Sequence, residues 1–180
     1  MRILQNETAA VVVDIQERLL PHIHDYGKVL ENCLKLVEGL QILSVPLLVT
    51  QQYTKGLGPT NPSLAAKFDE FRHIEKTAFS CCEEPSFKEE ISGLGKKNII
   101  LCGIETHVCI LQTCIDLLEE GYAPVVVEDC VSSRNPGDKQ VAIERMRQEG
   151  ATITTSESIL FELTRRSGTD TFKRISKLVK

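Results

Sequence analysis

The chain has 180 residues, 42% of them hydrophobic and 26% charged, and a net charge of −4. These values suit one globular domain spanning residues 1–180 with a sizeable core. The acidic balance argues against a nucleic-acid footprint, and no apolar run approaches the roughly 20 residues of a membrane crossing. The N-terminal residues carry no apolar signal segment, and the seven cysteines (33, 81, 82, 102, 109, 114 and 130) form no close pairs. An odd, scattered set fits neither a disulfide framework nor a zinc site, and points to a reduced, cytoplasmic compartment with mostly structural thiols.

Residues 8–16, Thr-Ala-Ala-Val-Val-Val-Asp-Ile-Gln, read as a buried strand with Asp14 at its carboxyl end. A helical stripe of Val29, Leu30, Cys33, Leu34, Val37 and Leu40 predicts a helix over 26–43. Residues 45–50 predict a second strand, which sets Gln51 and Gln52 over the same rim as Asp14. Residues 53–65, with two glycines and two prolines, read as a long irregular loop of the kind that often binds or covers a ligand. A short strand should end near Lys76, and Ser86-Phe87-Lys88-Glu89 matches a capping box opening a short helix.

Residues 99–102 are an apolar run that Gly103 breaks, and Val108, Leu111, Ile115 and Leu118 then recur at helical spacing behind Thr106, a candidate N-cap. Residues 124–129 predict another strand, leading to Arg134. Asn135-Pro136-Gly137-Asp138 has the cap, proline and acid of a helix start, with a stop at Gly150. A last strand over 151–155 and a final helix or pair of helices over 158–178 complete the chain. Strands alternating with helices predict a three-layer α/β/α, Rossmann-like fold around a mostly parallel sheet of about six strands. Neither Gly56-Leu57-Gly58 nor Gly93-Leu94-Gly95 completes a dinucleotide fingerprint, and no phosphate-binding loop occurs.

Asp14, Lys76 and Cys109 all fall at or just past strand ends, and ligands of open α/β sheets bind beyond those ends. Cys109 should lie in the first turn of a helix, where the helix dipole and a neighbouring lysine favour thiolate near neutral pH. A buried carboxylate such as Asp14 can act as base, and Lys76 supplies the charge that holds both anions. On the residues alone, a core cysteine beside a structural ion pair is the favoured reading. Arg134 suits an anionic substrate group or a surface or subunit-interface role equally.

Three segments decide between these readings. Val-Val-Val-Asp14-Ile-Gln16, Glu-Lys76-Thr-Ala-Phe-Ser80 and Cys-Gly103-Ile-Glu-Thr-His-Val-Cys109 resemble, in order, the three motifs of the isochorismatase-like cysteine hydrolases. The last is similar to the isochorismatase-domain-containing subgroup in particular. The resemblance implies a Cys109 nucleophile, an Asp14 base and a Lys76 cation. It also implies a non-proline cis peptide at Ile104–Glu105 that turns the N–H groups of Glu105 and Cys109 toward an oxyanion. Candidate substrate-binding residues are Gln16, Gln51, Phe79, Thr106 and Arg134.

The metal-binding nicotinamidases of the family use an Asp-x-His and a further His after the second strand. Thr50-Gln51-Gln52-Tyr53 offers no such set, and His22, His24 and His73 are read as ordinary loop or structural residues, so neither metal nor cofactor is expected. A complete triad points to thiol-mediated hydrolysis of a small amide-like C–N bond. Vinyl ether hydrolysis and a non-catalytic binding or scaffold protein are the alternatives. By the same resemblance the chain should form a homo-oligomer, a dimer or tetramer; its charge and hydropathy predict no nucleic-acid or membrane partner.

Overall fold

The computed structural model describes residues 2–180. Among them, six strands form one parallel sheet in the order β3-β2-β1-β4-β5-β6. The strands are β1 Thr8–Val13, β2 Leu47–Gln52, β3 Ile74–Lys76, β4 Asn98–Ile104, β5 Ala123–Ser132 and β6 Thr152–Thr154. Eight α-helices connect or flank them: α1 Tyr26–Ile42, α2 Thr54–Leu57, α3 Pro62–Ala65, α4 Pro85–Gly93, α5 Leu111–Glu119, α6 Pro136–Glu149, α7 Ser156–Thr164 and α8 Asp170–Leu178. The three-layer expectation therefore holds.

The central strands are apolar on both sides because both sides are covered. Ala10, Val12, Ile100 and Cys102 face α1, α7 and α8, through Leu36, Leu40, Leu160 and Ile175. Ala9, Val11, Ile99 and Leu101 face α4, α5 and α6, through Phe87, Leu117 and Met146. Each Val, Leu, Ile, Phe or Met side chain among them contributes about 1.5–3 kcal/mol when withdrawn from water, which leaves little freedom in register. No helix among the described residues is long and apolar enough to cross a membrane.

Several boundaries differ from the sequence reading. The second strand starts at Leu47, behind Pro46, whose carbonyl accepts from Ala10. The 53–65 loop contains two one-turn helices. The helix after Lys76 begins with Pro85, so Glu84 and not Ser86 takes the N-cap position, and the Glu84 carboxylate makes no cap bond because it accepts from the N–H groups of Thr77 and Ala78. At Asn135 the expectation is met: its side chain accepts from Gly137 N, and Gly150 closes α6. The terminal helical stretch is two helices, α7 and α8.

The winding reverses between β1 and β4. From β1 the chain steps outward to β2 and β3, then returns to β4 and steps the other way to β5 and β6. The crevice at the carboxyl ends of β1 and β4 is thus the place where this topology puts a ligand. There Val13 pairs with Thr50 on one side and Gly103 on the other. A Cβ on Gly103 would stand 2.0 Å from the Val13 carbonyl oxygen, so only glycine lets the two strand ends close up.

Candidate active site

Three side chains from three strand ends meet in the crevice. Asp14 follows β1 with φ 53, a left-handed conformation that aspartate tolerates better than most residues, and its side chain is fully buried. Lys76 ends β3, two strands from β1. Strands lie about 4.8 Å apart, so reaching β1 takes a long side chain lying across β2. Lys76 Nζ arrives 2.8 Å from Asp14 Oδ2 and 3.6 Å from Cys109 Sγ. Cys109 lies in a π-helical turn, Thr106–Ile110, that leads into α5. The Ile104–Glu105 peptide before it is cis, as the motif resemblance implies.

The two Asp14 oxygens differ. Oδ1 accepts a 2.8 Å bond from Thr50 Oγ1, whereas Oδ2 receives no aligned hydrogen bond although Lys76 stands beside it. That contact is charge against charge, and it leaves Oδ2 free to take a proton. Lys76 instead directs its protons to Gln52 Oε1 at 2.5 Å, Phe79 O at 3.0 Å and Ala78 O at 3.2 Å, with Cys109 Sγ a longer acceptor at 3.6 Å.

Burial raises the Asp14 carboxyl above its ordinary value, with Lys76 and then Thr50 pulling against the rise. Burial would lower Lys76, but the Asp14 carboxylate foremost among its neighbours outweighs it and the ammonium is held. Burial and the facing Asp14 carboxylate push the Cys109 thiol up to about 12, against the pull of Lys76. The expectation of a resting thiolate near neutral pH is therefore corrected. The sequence reveals the helix start and the lysine, but not the desolvation or the carboxylate that oppose them.

The turn carrying Cys109 is tied to the β5–α6 connection. Glu105 Oε2 accepts from Arg134 N at 2.9 Å and Arg134 Nε at 3.1 Å, while His107 Nδ1 lies 2.8 Å from Ser133 Oγ. The carboxylate of Glu105 is buried and the Arg134 side chain mostly exposed. Thr106 is not the N-cap; Glu105 precedes the turn, and the fully buried Thr106 Oγ1 has no hydrogen-bond partner among the described residues. Phe79 presents its ring to solvent and its carbonyl to Lys76.

Gln16 and Gln51 are committed to the adjoining loop. The Gln16 amide bonds Gln52 N, Gln52 O and Gly58 O, and Gln51 bonds Thr54 and Thr60. Gln52 and Thr50, which contact the ion pair directly, escaped the candidate set. The sequence sets Gln52 over the rim, but only the register, Gln52 opposite Lys76 and Thr50 beside Val13, brings the two residues to the ion pair.

These residues do not fit the metal of the nicotinamidases. The side chains at that place are amides and a hydroxyl already bonded to Lys76, Asp14 and the loop. Among the described residues no group of three or more His, Cys, Asp or Glu side chains could hold a metal ion.

A doubly wound α/β/α sheet with this crevice at its switch point defines a hydrolase fold of the isochorismatase type. The chain belongs to the isochorismatase family: the isochorismatase domain model matches residues 8–158. It is 39% identical over 180 residues to isochorismatase domain-containing protein 2A of Mus musculus, covering 99% of this chain and 85% of that one. Among solved structures, it is similar to the MAR1 ribonuclease of Caenorhabditis elegans, with TM-score 0.93, 40% identity and coverage of 99% and 92%. The ycaC gene product of Escherichia coli, described as an octameric hydrolase of unknown specificity, matches with TM-score 0.92, 26% identity and coverage of 99% and 90%.

Proposed function

We propose that the protein is a metal-independent cysteine hydrolase of a small amide-like substrate. The observation carrying this reading is the buried ammonium of Lys76 held between Asp14 Oδ2 at 2.8 Å and Cys109 Sγ at 3.6 Å. In the proposed reaction the Cys109 proton passes to Asp14 as the sulfur attacks the carbonyl carbon. A carboxyl that burial makes more basic suits that transfer. The transfer also keeps the site's net charge unchanged, which matters where water is excluded. The N–H groups of Glu105 and Cys109 are the proposed donors to the tetrahedral oxyanion. The C–N bond then breaks, Asp14 returns the proton to the departing amine, and water hydrolyses the thioester to the acid, again with Asp14 as base.

Arg134, anchored at Nε by Glu105, is the proposed contact for a polar or anionic part of the substrate. A homo-oligomer is proposed as the working form, and the octameric state of the E. coli relative supports it.

The test is a panel of small amides and ureas incubated with the wild type and with Cys109→Ala. Release of amine or ammonia by the wild type alone supports the reading. An RNA oligonucleotide belongs in the same panel, because a relative 40% identical carries the name ribonuclease. RNA cleavage that survives in Cys109→Ala, with no amide turned over by the wild type, would overturn the proposal.

A further inference from the structure

We propose that Gln52 is a positioning residue that divides the Lys76 ammonium between Asp14 and Cys109 and keeps Asp14 Oδ2 open to the thiol proton. The inference rests on the triad reading above, and adds a fourth residue outside its three motifs. Lys76 must cross β2 to reach β1, and Gln52 is the β2 residue paired with it in register. Gln52 is itself held rigidly. Its backbone N–H donates to Gln16 Oε1 at 2.7 Å, and its side-chain Nε2 donates to Thr77 O at 2.8 Å. The amide oxygen is thereby aimed at Lys76 Nζ, 2.5 Å away.

An ammonium has three protons. Gln52 Oε1 and the carbonyls of Phe79 and Ala78 supply three neutral acceptors within 3.2 Å, and Cys109 Sγ shares the ammonium as a longer one at 3.6 Å. The cation therefore lies beside Asp14 Oδ2 without donating to it in line. Without the Gln52 acceptor, a proton of Lys76 would turn to the nearest anionic oxygen, and Asp14 would lose the lone pair that receives the thiol proton. A neutral amide suits this place. A carboxylate there would hold the ammonium as firmly but would cancel the charge that favours the thiolate.

The test reads Cys109 itself and needs no substrate. The titratable groups facing the thiol are Asp14, Lys76 and Cys81. Iodoacetamide labelling of Cys109, followed by peptide mapping from pH 7 to 10, reports how readily it gives up its proton. Gln52→Glu should displace the rate profile toward higher pH by about one unit or more, read as labelling about tenfold slower at each pH. Gln52→Met, similar in length and without the acceptor, should slow labelling about threefold or more. Both should melt cooperatively with native circular dichroism, and if Gln52→Glu does not fold, Gln52→Met alone decides.

A purely structural Gln52 would lower the melting temperature and leave the labelling profile in place. Wild-type labelling in a folded Gln52→Met, while Lys76→Ala slows it at least tenfold, overturns the role of Gln52 and leaves the triad standing. If Lys76→Ala also labels at the wild-type rate, the triad reading falls and this inference with it.

Discussion

Lys76→Met tests the buried ion pair by leaving Asp14 without its counter-charge. Both side chains are fully buried and their charged atoms lie 2.8 Å apart. With an effective dielectric of about 20, that separation gives a gross attraction of about 6 kcal/mol. Desolvation offsets part of it in the native protein, and removing one partner of such a pair costs about 3–5 kcal/mol. For a domain of this size that is a fall in melting temperature of about 10 °C.

The loss should depend on pH. Burial already raises the Asp14 carboxyl above 3.8, and removing Lys76, the chief opposing influence, raises it further. A group whose pKa is higher folded than unfolded favours the fold below the unfolded value and loses that advantage as pH rises through the folded one. Lys76→Met should therefore be close to wild type near pH 4 and show its full deficit at pH 8. Asp14→Asn/Lys76→Met, with neither charge, should recover most of the deficit at pH 8. Urea denaturation followed by far-ultraviolet circular dichroism at the two pH values measures all of this. A deficit below about 1 kcal/mol at pH 8, or one of equal size at both pH values, would refute the account of the pair.

In wild-type protein treated with limiting iodoacetamide, Cys109 should be labelled first. It is 6% exposed and the other six cysteines are 0–2% exposed, so Cys81, although pushed only to about 11, is sealed from the reagent. With Cys109 pushed up to about 12, its labelling rate should climb about tenfold per pH unit from 7 to 10 with no plateau. A plateau near neutrality would restore the thiolate expectation. Gly103→Ala drives a Cβ to 2.0 Å from the Val13 carbonyl and should leave little soluble folded protein. Soluble expression with a wild-type melting curve would contradict that close approach. Asn135→Ala removes the cap bond to Gly137 and should cost about 1 kcal/mol, a fall of about 2–4 °C; no measurable fall would mean the cap contributes nothing.

The sheet was legible because its inner strands are continuous apolar runs, which only burial on both faces explains. Asp14, Lys76 and Cys109 were legible because each marks the end of such a run, and the motif resemblance then joined them. The contacts across strands were hidden. Nothing in the linear chain places Gln52 opposite Lys76 or Thr50 against Asp14, and Gln16 and Gln51 looked like ligand contacts until the loop they clamp was seen. Local signals misled where a tertiary contact took precedence. Ser86 matched a cap that Glu84 displaces, and Thr106 looked like a cap but opens a π-helical turn. The charge state of Cys109 was the hardest to read, since desolvation and a facing carboxylate are properties of the folded site alone.

The reversal of winding between β1 and β4 makes this chain divisible in a useful way. A break in the connection between α4 and β4 leaves Asp14 and Lys76 on one piece and Cys109 on the other. Each piece would carry three adjacent strands of the sheet, and their seam would combine the packing of α1 on β5, α7 and α8 with the β1–β4 ladder that runs from Thr8 opposite Asn98 to Val13 opposite Gly103. The thiol would meet the carboxylate and ammonium only where that seam had zipped to its last pair. Two separately produced halves would thus form a complementation reporter whose signal comes from correct registration at Val13 and Gly103.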